Sequence, residues 1–245
     1  MSDASAASAS ESAPQPEFRS EMTVELVRSN ASDTDVIFAA RVSTQGEQTL
    51  AGALDEATDA ARSKGLINFL MRDRHGSPFE HNSMTFYVQA PIFVFREFMR
   101  HRIASYNEES GRYRQLRPVF YVPGPERNLL QVGKPGAYEF LPGTPEQSEL
   151  AVQETRTQAE QAYASYLRML DAGIAREVAR VVLPLSIYSS MYVTMNARSL
   201  MNFLSLRTTR EGTHFPSFPQ REIEMVAEAM EQHFARLMPV TYEAF

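Results

Sequence analysis

Alternating and helically spaced hydrophobic residues divide this chain into short strands and longer helices. The clearest strand is Met84–Ala90, in which every second side chain is apolar. Strict alternation of this kind is typical of a strand with one buried face. The same pattern, in a weaker form, predicts strands at Met22–Val27, Phe120–Val122 and Tyr188–Thr194.

Apolar residues three and four positions apart predict helices over most of the remaining chain. The predicted helices are Ala31–Arg41, Asp55–Met71, Ile92–Arg102, Glu149–Asp171, Arg176–Leu183, Asn196–Leu206 and Gln220–Leu237. Pro91 suits the start of one of them, because proline is favoured at the first helical position. Residues 123–147 hold five prolines and four glycines and are expected to form a loop. Strands scattered among long helices predict an α+β fold.

Composition narrows the class of protein. With 245 residues, 43% of them hydrophobic, the chain can bury a sizeable core. A formal net charge of −6 argues against a broad surface for nucleic acid. The chain has no cysteine, which excludes disulfides, thiolate metal sites and a cysteine nucleophile. This absence fits a reducing compartment, and a cytoplasmic location is expected.

The first residues of the chain differ in composition from the rest. Residues 1–17 are rich in serine and alanine and are expected to be a disordered tail. They lack the positive start and the apolar stretch of a secretory signal. Residues 18–245 are expected to form a single domain. No segment approaches the ~18 consecutive apolar residues of a membrane-spanning helix, so no membrane partner is expected.

Residues 100–113, which read RHRIASYNEESGRY, are the most informative segment. It starts at the end of the predicted helix Ile92–Arg102 and runs into a loop, with a turn expected over Asn107–Gly111. Guanidinium groups combined with hydroxyl and backbone donors suit a phosphate or another planar anion. The segment therefore indicates a specific anion site, with an exposed network of arginine and glutamate as the alternative.

Three shorter motifs also carry polar residues at defined spacings. HGSPFEH at 75–81 has two histidines and a glutamate, although this spacing is weak evidence for a metal. NARSLMNFLSLR at 196–207 places Arg198 and Asn202 on one helix face, with a core stripe beside them. REVARVVLPL at 176–185 contains Arg180, for which an exposed position or an ion pair is the plain alternative.

Together and in this order, these four motifs resemble the flavin-dependent thymidylate synthases over about residues 20–245. Arg100-His-Arg, followed after seven residues by Ser110, resembles the signature of that family. The resemblance implies a mainly antiparallel sheet flanked by long helices, in a homotetramer with sites at subunit interfaces. It implies reductive methylation of dUMP to dTMP, in de novo dTMP biosynthesis. The one-carbon donor would be 5,10-methylenetetrahydrofolate, and NADPH-reduced FAD would be the hydride source.

The resemblance also assigns individual residues, without any metal site. Those implied to bind FAD are His75, Ser77, Arg100, His101, Arg102, Glu108, Asn196, Arg198 and Asn202. Those implied to bind dUMP are Glu97, Phe98, Met99, Arg100, Glu108, Glu109, Ser110, Gly111, Arg112, Arg180 and Arg207. His75 is expected near the isoalloxazine and folate side, and residues 97–100 are expected to line the dUMP site of a neighbouring chain.

Arg207 and Ser110 are the implied catalytic residues. Because no cysteine can attack the uracil ring, Arg207 is expected to stabilise negative charge that develops on the pyrimidine. Ser110 is interpreted as a residue that orients and polarises dUMP, with a nucleophilic role as the alternative. Phe218 aligns with a family histidine, and whether His214 substitutes for that histidine stays open at this level.

Two other functions compete with this interpretation. One is a single-stranded nucleic-acid binder in which Tyr106 and Tyr113 stack on bases, although the net negative charge argues against it and no nucleic-acid partner is expected. The other is a metal-dependent nucleotide hydrolase that uses His75, Glu80 and His81. The resemblance favours the synthase over both.

Overall fold

A four-stranded antiparallel sheet forms the centre of the fold. The structure is a computed structural model that describes residues 14–46, 60–134, 137–210, 213 and 216–245. The strands are β1 (Glu17–Arg19), β2 (Thr23–Ser29), β3 (Met84–Pro91), β4 (Ser105–Glu108), β5 (Val119–Tyr121), β6 (Leu130–Lys134), β7 (Ala137–Leu141) and β8 (Tyr188–Met195). The helices are α1 (Asp33–Gln45), α2 (Ala60–Arg72), α3 (Ile92–Phe98), α4 (Pro145–Asp171), α5 (Arg176–Ala179), α6 (Ala197–Arg207), α7 (Arg221–Leu237) and α8 (Pro239–Ala244). Single 3₁₀ turns span Ser77–Glu80 and Arg180–Val182.

The central sheet has the strand order β2-β3-β8-β4, with all neighbours antiparallel. β3 and β8 pair along their whole length, from Met84 opposite Met195 to Pro91 opposite Tyr188. The predicted alternation of β3 is confirmed, since its apolar face is completely buried. Elsewhere β1 pairs with β5 in parallel, and β6 with β7 as an antiparallel hairpin. The α+β class is therefore confirmed.

The main hydrophobic core lies between this sheet and the helices α1, α2, α3, α6 and α7. The predicted stripe of α7 is confirmed, because Ile223, Val226, Ala227, Met230 and Phe234 are all fully buried. A second cluster packs α4 against β5, with Tyr163 and Tyr166 at its centre. The single-domain assignment of residues 18–245 stays a prediction.

The expected loop over 123–147 is wrong, because it contains the β6–β7 hairpin and the first residues of α4. A capping box starts that helix: the Thr144 hydroxyl accepts from Gln147 N at 3.3 Å, and Gln147 Oε1 accepts from Thr144 N at 2.8 Å. Thr-x-x-Gln with proline at the first position is a readable start signal. The prolines and glycines of this segment led to the prediction of a loop instead of the hairpin and the helix start.

Other boundaries also shift. α3 ends at Phe98 instead of Arg102, and β4 occupies part of the segment expected to turn over Asn107–Gly111. The turn follows later, where Tyr113 N donates to Ser110 O at 3.1 Å. β1 includes Glu17, the last residue of the predicted tail, whereas residues 1–13 lie outside the described part.

No helix in the described ranges is long and apolar enough to cross a membrane. Residues 55–59 of one predicted helix lie outside those ranges, as does His214. The question whether His214 replaces a family histidine therefore stays open, while Phe218 is 61% exposed.

Candidate functional site

A cavity of about 500 Å³, which we call the arginine cavity, lies between the segment after α3 and one face of α6. Its lining residues are Glu80, Arg100, His101, Arg102, Ile103, Asn196, Arg198, Ser199 and Asn202. A continued helix would have turned Arg100 and Arg102 apart. Because α3 ends at Phe98, both arginines instead reach the same cavity.

The start of α6 is organised by its cap. The Asn196 side chain accepts a hydrogen bond from Ser199 N at 2.8 Å, as expected for an N-cap asparagine. Arg198 and Asn202 then share the predicted helix face and line the cavity together. The Arg198 guanidinium donates to Glu80, which crosses from the 3₁₀ turn Ser77–Glu80.

A second cavity of about 250 Å³, the histidine cavity, adjoins the first and shares Arg198 and Asn202 with it. Its lining is largely apolar and comprises Leu70, Met71, Arg74, His75, Gly76, Phe79, Arg198, Met201, Asn202, Ser205 and Phe245. The His75 ring stacks on Phe69 with 5.6 Å between centroids. Ser77 is exposed in the adjacent turn and does not line either cavity.

Gly76 allows the Arg198 side chain to cross close to the backbone. A Cβ at Gly76 would lie only 2.7 Å from Arg198 Nε and 2.8 Å from Arg198 Cζ. These distances are far below an ordinary contact of ~3.5–4.0 Å. The missing side chain is therefore part of how the guanidinium reaches the boundary between the two cavities.

Arg207, the last residue of α6, contacts Glu97 in α3 and His101 just after it. Its Nη1 lies 2.5 Å from Glu97 Oε2, and its Nε donates to His101 Nε2 at 3.1 Å. Burial lowers the pKa of His101 to about 4, with the nearby Arg207 charge acting in the same direction. His101 is thus neutral near pH 7 and can accept this hydrogen bond. Burial also raises the pKa of Glu97, although Arg207 opposes the shift.

A third cavity, the acidic cavity, has a volume of about 240 Å³ and lies beyond β4. Its lining residues are Ile92, Glu108, Glu109, Gly111, Leu116, Arg180, Val181, Leu183, Leu185, Ile187 and Ser189. Burial raises the pKa of Glu108, while Ser189 and Arg180 lower it to a smaller extent. Arg180 is thus half-buried beside a carboxylate, contrary to the alternative of a plain surface position.

The remaining assigned residues lie around these cavities. Ser110 Oγ accepts from Arg112 N at 3.3 Å, and Arg112 Nε pairs with Glu177 at 2.8 Å on the exposed side. Phe98 is fully buried in the main core, so its side chain is not available to a ligand, whereas Met99 is 49% exposed.

One sequence motif therefore serves two places in the described chain. Arg100 to Arg102 line the arginine cavity, whereas Glu108, Glu109 and Gly111 line the acidic cavity. Arg180 lines the acidic cavity, whereas the described contacts of Arg207 are with Glu97 and His101. The residues assigned to FAD largely converge, while those assigned to dUMP are divided.

Sequence reasoning missed several lining residues. Ile103 and Ser199 line the arginine cavity, and Glu80, which the sequence suggested only as a metal ligand, lines it as well and pairs with Arg198. Only their positions could have identified them, since each lies within or next to a recognised motif. Among the described residues, no three histidine, aspartate or glutamate side chains gather to hold a metal ion, so the hydrolase alternative gains no support.

The fold and cavities define an α+β protein in which arginine side chains line separate cavities. Comparison with known proteins makes this more specific, because the family model described as "Thymidylate synthase complementing protein" matches residues 25–240. A flavin-dependent thymidylate synthase of Streptomyces coelicolor is 66% identical over 234 residues, covering 95% of this chain and 94% of the relative. One from Thermotoga neapolitana is 42% identical over 222 residues, covering 91% of this chain and 89% of the relative.

Solved structures give the same result. The UMP/dUMP methylase PolB of Streptomyces cacaoi, bound with 5-Br UMP, has a TM-score of 0.85 and 54% identity, covering 95% of this chain and 96% of that chain. The same methylase bound with 5-Br dUMP has a TM-score of 0.85 and 56% identity, covering 94% and 96%. This chain belongs to the flavin-dependent thymidylate synthase family and is an enzyme.

Proposed function

We propose that this enzyme methylates dUMP to dTMP, using FAD, NADPH and 5,10-methylenetetrahydrofolate. The observation that carries the proposal is the arginine cavity, where residues assigned to FAD from two distant motifs meet. The relatives are named flavin-dependent thymidylate synthases, and PolB binds brominated UMP and dUMP. A cytoplasmic location is part of the same proposal.

The donors of the arginine cavity fit a dinucleotide cofactor. Arg100, Arg102 and Arg198 provide positive charge, and Asn196 and Asn202 provide amide groups. Forked guanidinium groups suit a pyrophosphate such as that of FAD. When bound and reduced by NADPH, FAD supplies the hydride for the reaction. The adjoining histidine cavity would take the folate side of the reaction, with His75 against its planar ring.

The acidic cavity would hold the nucleotide. Arg180 offers a charged donor for the dUMP phosphate, and the Ser110 hydroxyl, next to Gly111 of the same cavity, would offer another. Glu108 and Glu109 would bind hydroxyl or ring N–H groups of the nucleotide. Their proximity to a phosphate requires Arg180 to offset their charge, and Arg180 already acts on the pKa of Glu108 in that direction.

Arg207 would activate the pyrimidine. Its fixed positive charge stabilises the negative charge that develops on the uracil ring when its carbon attacks the one-carbon donor. Ser110 would orient dUMP. As no described group that could act as a base binds its hydroxyl, an orienting role is favoured over a nucleophilic one.

Arg207 and Arg180 must nevertheless act on one nucleotide although they do not meet in one chain. We therefore propose that Glu97, Arg100 and Arg207 of one chain complete the dUMP site of a neighbour in a homotetramer. Co-expression of differently tagged Arg207→Ala and Arg180→Ala chains tests this arrangement. Mixed oligomers should regain dTMP synthesis, because some sites then contain both wild-type arginines. Activity no higher than in either parent variant would reject the shared site.

The central experiment is an anaerobic titration. The purified protein should bind FAD, NADPH should bleach the flavin, and dUMP with methylenetetrahydrofolate should reoxidise it with formation of dTMP. Failure to bind FAD after reconstitution, or reoxidation without dTMP, would refute the proposed reaction.

UMP is a second candidate substrate at the same site, because PolB at 54% identity binds 5-Br UMP. The titration should therefore be repeated with UMP in place of dUMP. We expect kcat/KM for dUMP to exceed that for UMP, and the reverse order would assign the enzyme to UMP methylation.

A further inference from the structure

We propose that Glu97 is a positioning residue that holds the Arg207 guanidinium in the orientation in which it meets the pyrimidine. This inference rests on the role of Arg207 in the proposed function. It changes the role of Glu97 from a direct ligand of dUMP to a group that acts through Arg207.

The geometry shows that Glu97 contacts Arg207 with two different atoms. Its carboxylate Oε2 lies 2.5 Å from Arg207 Nη1, and its backbone carbonyl lies 3.5 Å from Arg207 Nη2. The side chains are only 24% and 19% exposed, respectively. A charged pair that is largely shielded from water restricts orientation more strongly than an exposed pair does.

The third contact fixes the plane of the guanidinium. Arg207 Nε donates to His101 Nε2 at 3.1 Å, so each nitrogen of the guanidinium has a partner. A guanidinium has five N–H donors, and these three contacts leave about two for a ligand, one on each terminal nitrogen. The arrangement therefore aims the arginine without exhausting its capacity to bind.

His101 is itself held in place from two sides. Its ring packs against the Phe203 ring in a T-shaped arrangement, with 4.9 Å between centroids and an angle of 75° between the ring planes. The Tyr106 hydroxyl lies 2.8 Å from the His101 carbonyl and 2.9 Å from the Phe98 carbonyl. Phe98 stacks on Phe203 at 4.8 Å. Phe98 at the end of α3 and His101 just after it therefore both pack on Phe203 of α6, next to the Arg207 side chain.

Other charges near Glu97 define its titration. Arg207 approaches from α6 and favours the carboxylate, whereas Glu222 from α7 disfavours it. Glu222 is itself bound by Arg127 and by the Tyr121 hydroxyl. Because burial is the largest effect, the pKa of Glu97 is raised above its ordinary value. Protonation of the Glu97 carboxylate would release its contact with Arg207 Nη1.

The test uses the FAD-loaded enzyme and the variants Glu97→Gln and Glu97→Ala. Glu228→Gln is the matched control, because it removes another carboxylate paired with arginine, at 2.7 Å from Arg221, in an exposed position. We expect kcat for dTMP formation to fall about tenfold in Glu97→Gln and about 100-fold in Glu97→Ala, as for a lost charge-assisted contact. The control should match the wild type.

The pH profile separates positioning from mere structural support. In the wild type, kcat should fall as pH decreases through the raised pKa of Glu97, since the carboxylate must be ionised to hold Arg207. This loss should be absent in Glu97→Gln, which is slow at every pH. The loss caused by protonation of His101, with a pKa of about 4, should persist in both proteins.

A binding cycle shows whether the effect passes through Arg207. Glu97→Gln should weaken dUMP binding in the wild-type background and should have no effect in the Arg207→Ala background. Wild-type kcat and an unchanged acid limb in both Glu97 variants would overturn the positioning role. If the wild type itself forms no dTMP, the proposed function fails instead, independently of Glu97.

Discussion

Replacement of Gly76 by alanine should weaken FAD binding without destabilising the fold. The backbone at Gly76 has φ −77° and ψ −26°, a region that alanine adopts readily. The added Cβ would stand 2.7 Å from Arg198 Nε, so the guanidinium must retreat by roughly 1 Å to reach an ordinary contact distance. The perturbation is therefore confined to the end of one flexible side chain.

The two expected effects differ in size and direction. The Arg198–Glu80 pair is exposed, with 58% and 42% of the side chains accessible, and such pairs contribute only ~0–1 kcal/mol. Alanine for glycine at a compatible position stabilises by ~0.4–1 kcal/mol, which offsets that loss. A lost charged hydrogen bond to FAD would cost ~1.5–3 kcal/mol, and partial displacement should reach the lower end, which is about tenfold in Kd.

The assay measures FAD affinity by titration of apoprotein, together with thermal unfolding of the same samples. Gly65→Ala is the matched control, because no described atom lies within 4 Å of a Cβ at that position in α2. It should raise stability by ~0.5–1 kcal/mol and leave FAD affinity unchanged. In the Arg198→Ala background, Gly76→Ala should have no further effect. Wild-type FAD affinity in Gly76→Ala would refute the reasoning.

Three other outcomes are expected. Arg207→Ala should abolish dTMP formation while FAD absorbance is retained, and continued turnover would show that its assignment is wrong. Ser110→Ala should raise KM for dUMP and leave measurable activity, whereas a dead variant that still binds dUMP would support a nucleophile. Arg127→Ala should lower the free energy of unfolding by ~3–5 kcal/mol, because it leaves the buried Glu222 without its arginine. Burial alone would raise the pKa of Glu222, but Arg127 and Tyr121 lower it. The contribution of this pair to the free energy of unfolding should therefore be complete above the ordinary carboxyl pKa and disappear as pH falls through the lowered pKa of Glu222. Acid-unfolding curves of the wild type and of Arg127→Ala would show this difference.

Elements with a strong local signal could be predicted from the sequence. The apolar stripe of α7 and the alternation of β3 follow from periodicity, and the Asn196 cap follows from its side-chain chemistry. The β6–β7 hairpin could not be found in this way, because Gly133 adopts a φ of 92° inside β6 and glycine and proline flank both strands. Its pairing depends on the register between β6 and β7, which composition does not reveal.

β4 was not predicted from the sequence for a different reason. Asn107 is typical of turns and glutamate is uncommon in strands, yet Asn107 and Glu108 pair with Tyr192 and Met191 at the edge of the sheet. An edge strand tolerates polar residues because one side faces solvent and only the other must pair. The Glu97–Arg207 contact joins residues 110 positions apart and was likewise beyond local pattern. Motif resemblance had identified both residues without showing that they bind one another.

The position of β4 explains how one continuous motif can serve two ligands. Four strand residues span about 13 Å, so the strand separates Arg100–Arg102 from the turn after Glu108 while keeping both ends on a rigid sheet. For hydride transfer, the ring of a flavin bound at one end must still meet the ring of a nucleotide bound at the other. In the proposed homotetramer, a second chain would bring Arg207 and its flavin to the nucleotide held beside Arg180. On this argument the motif is compact in sequence because each copy contributes to two different sites.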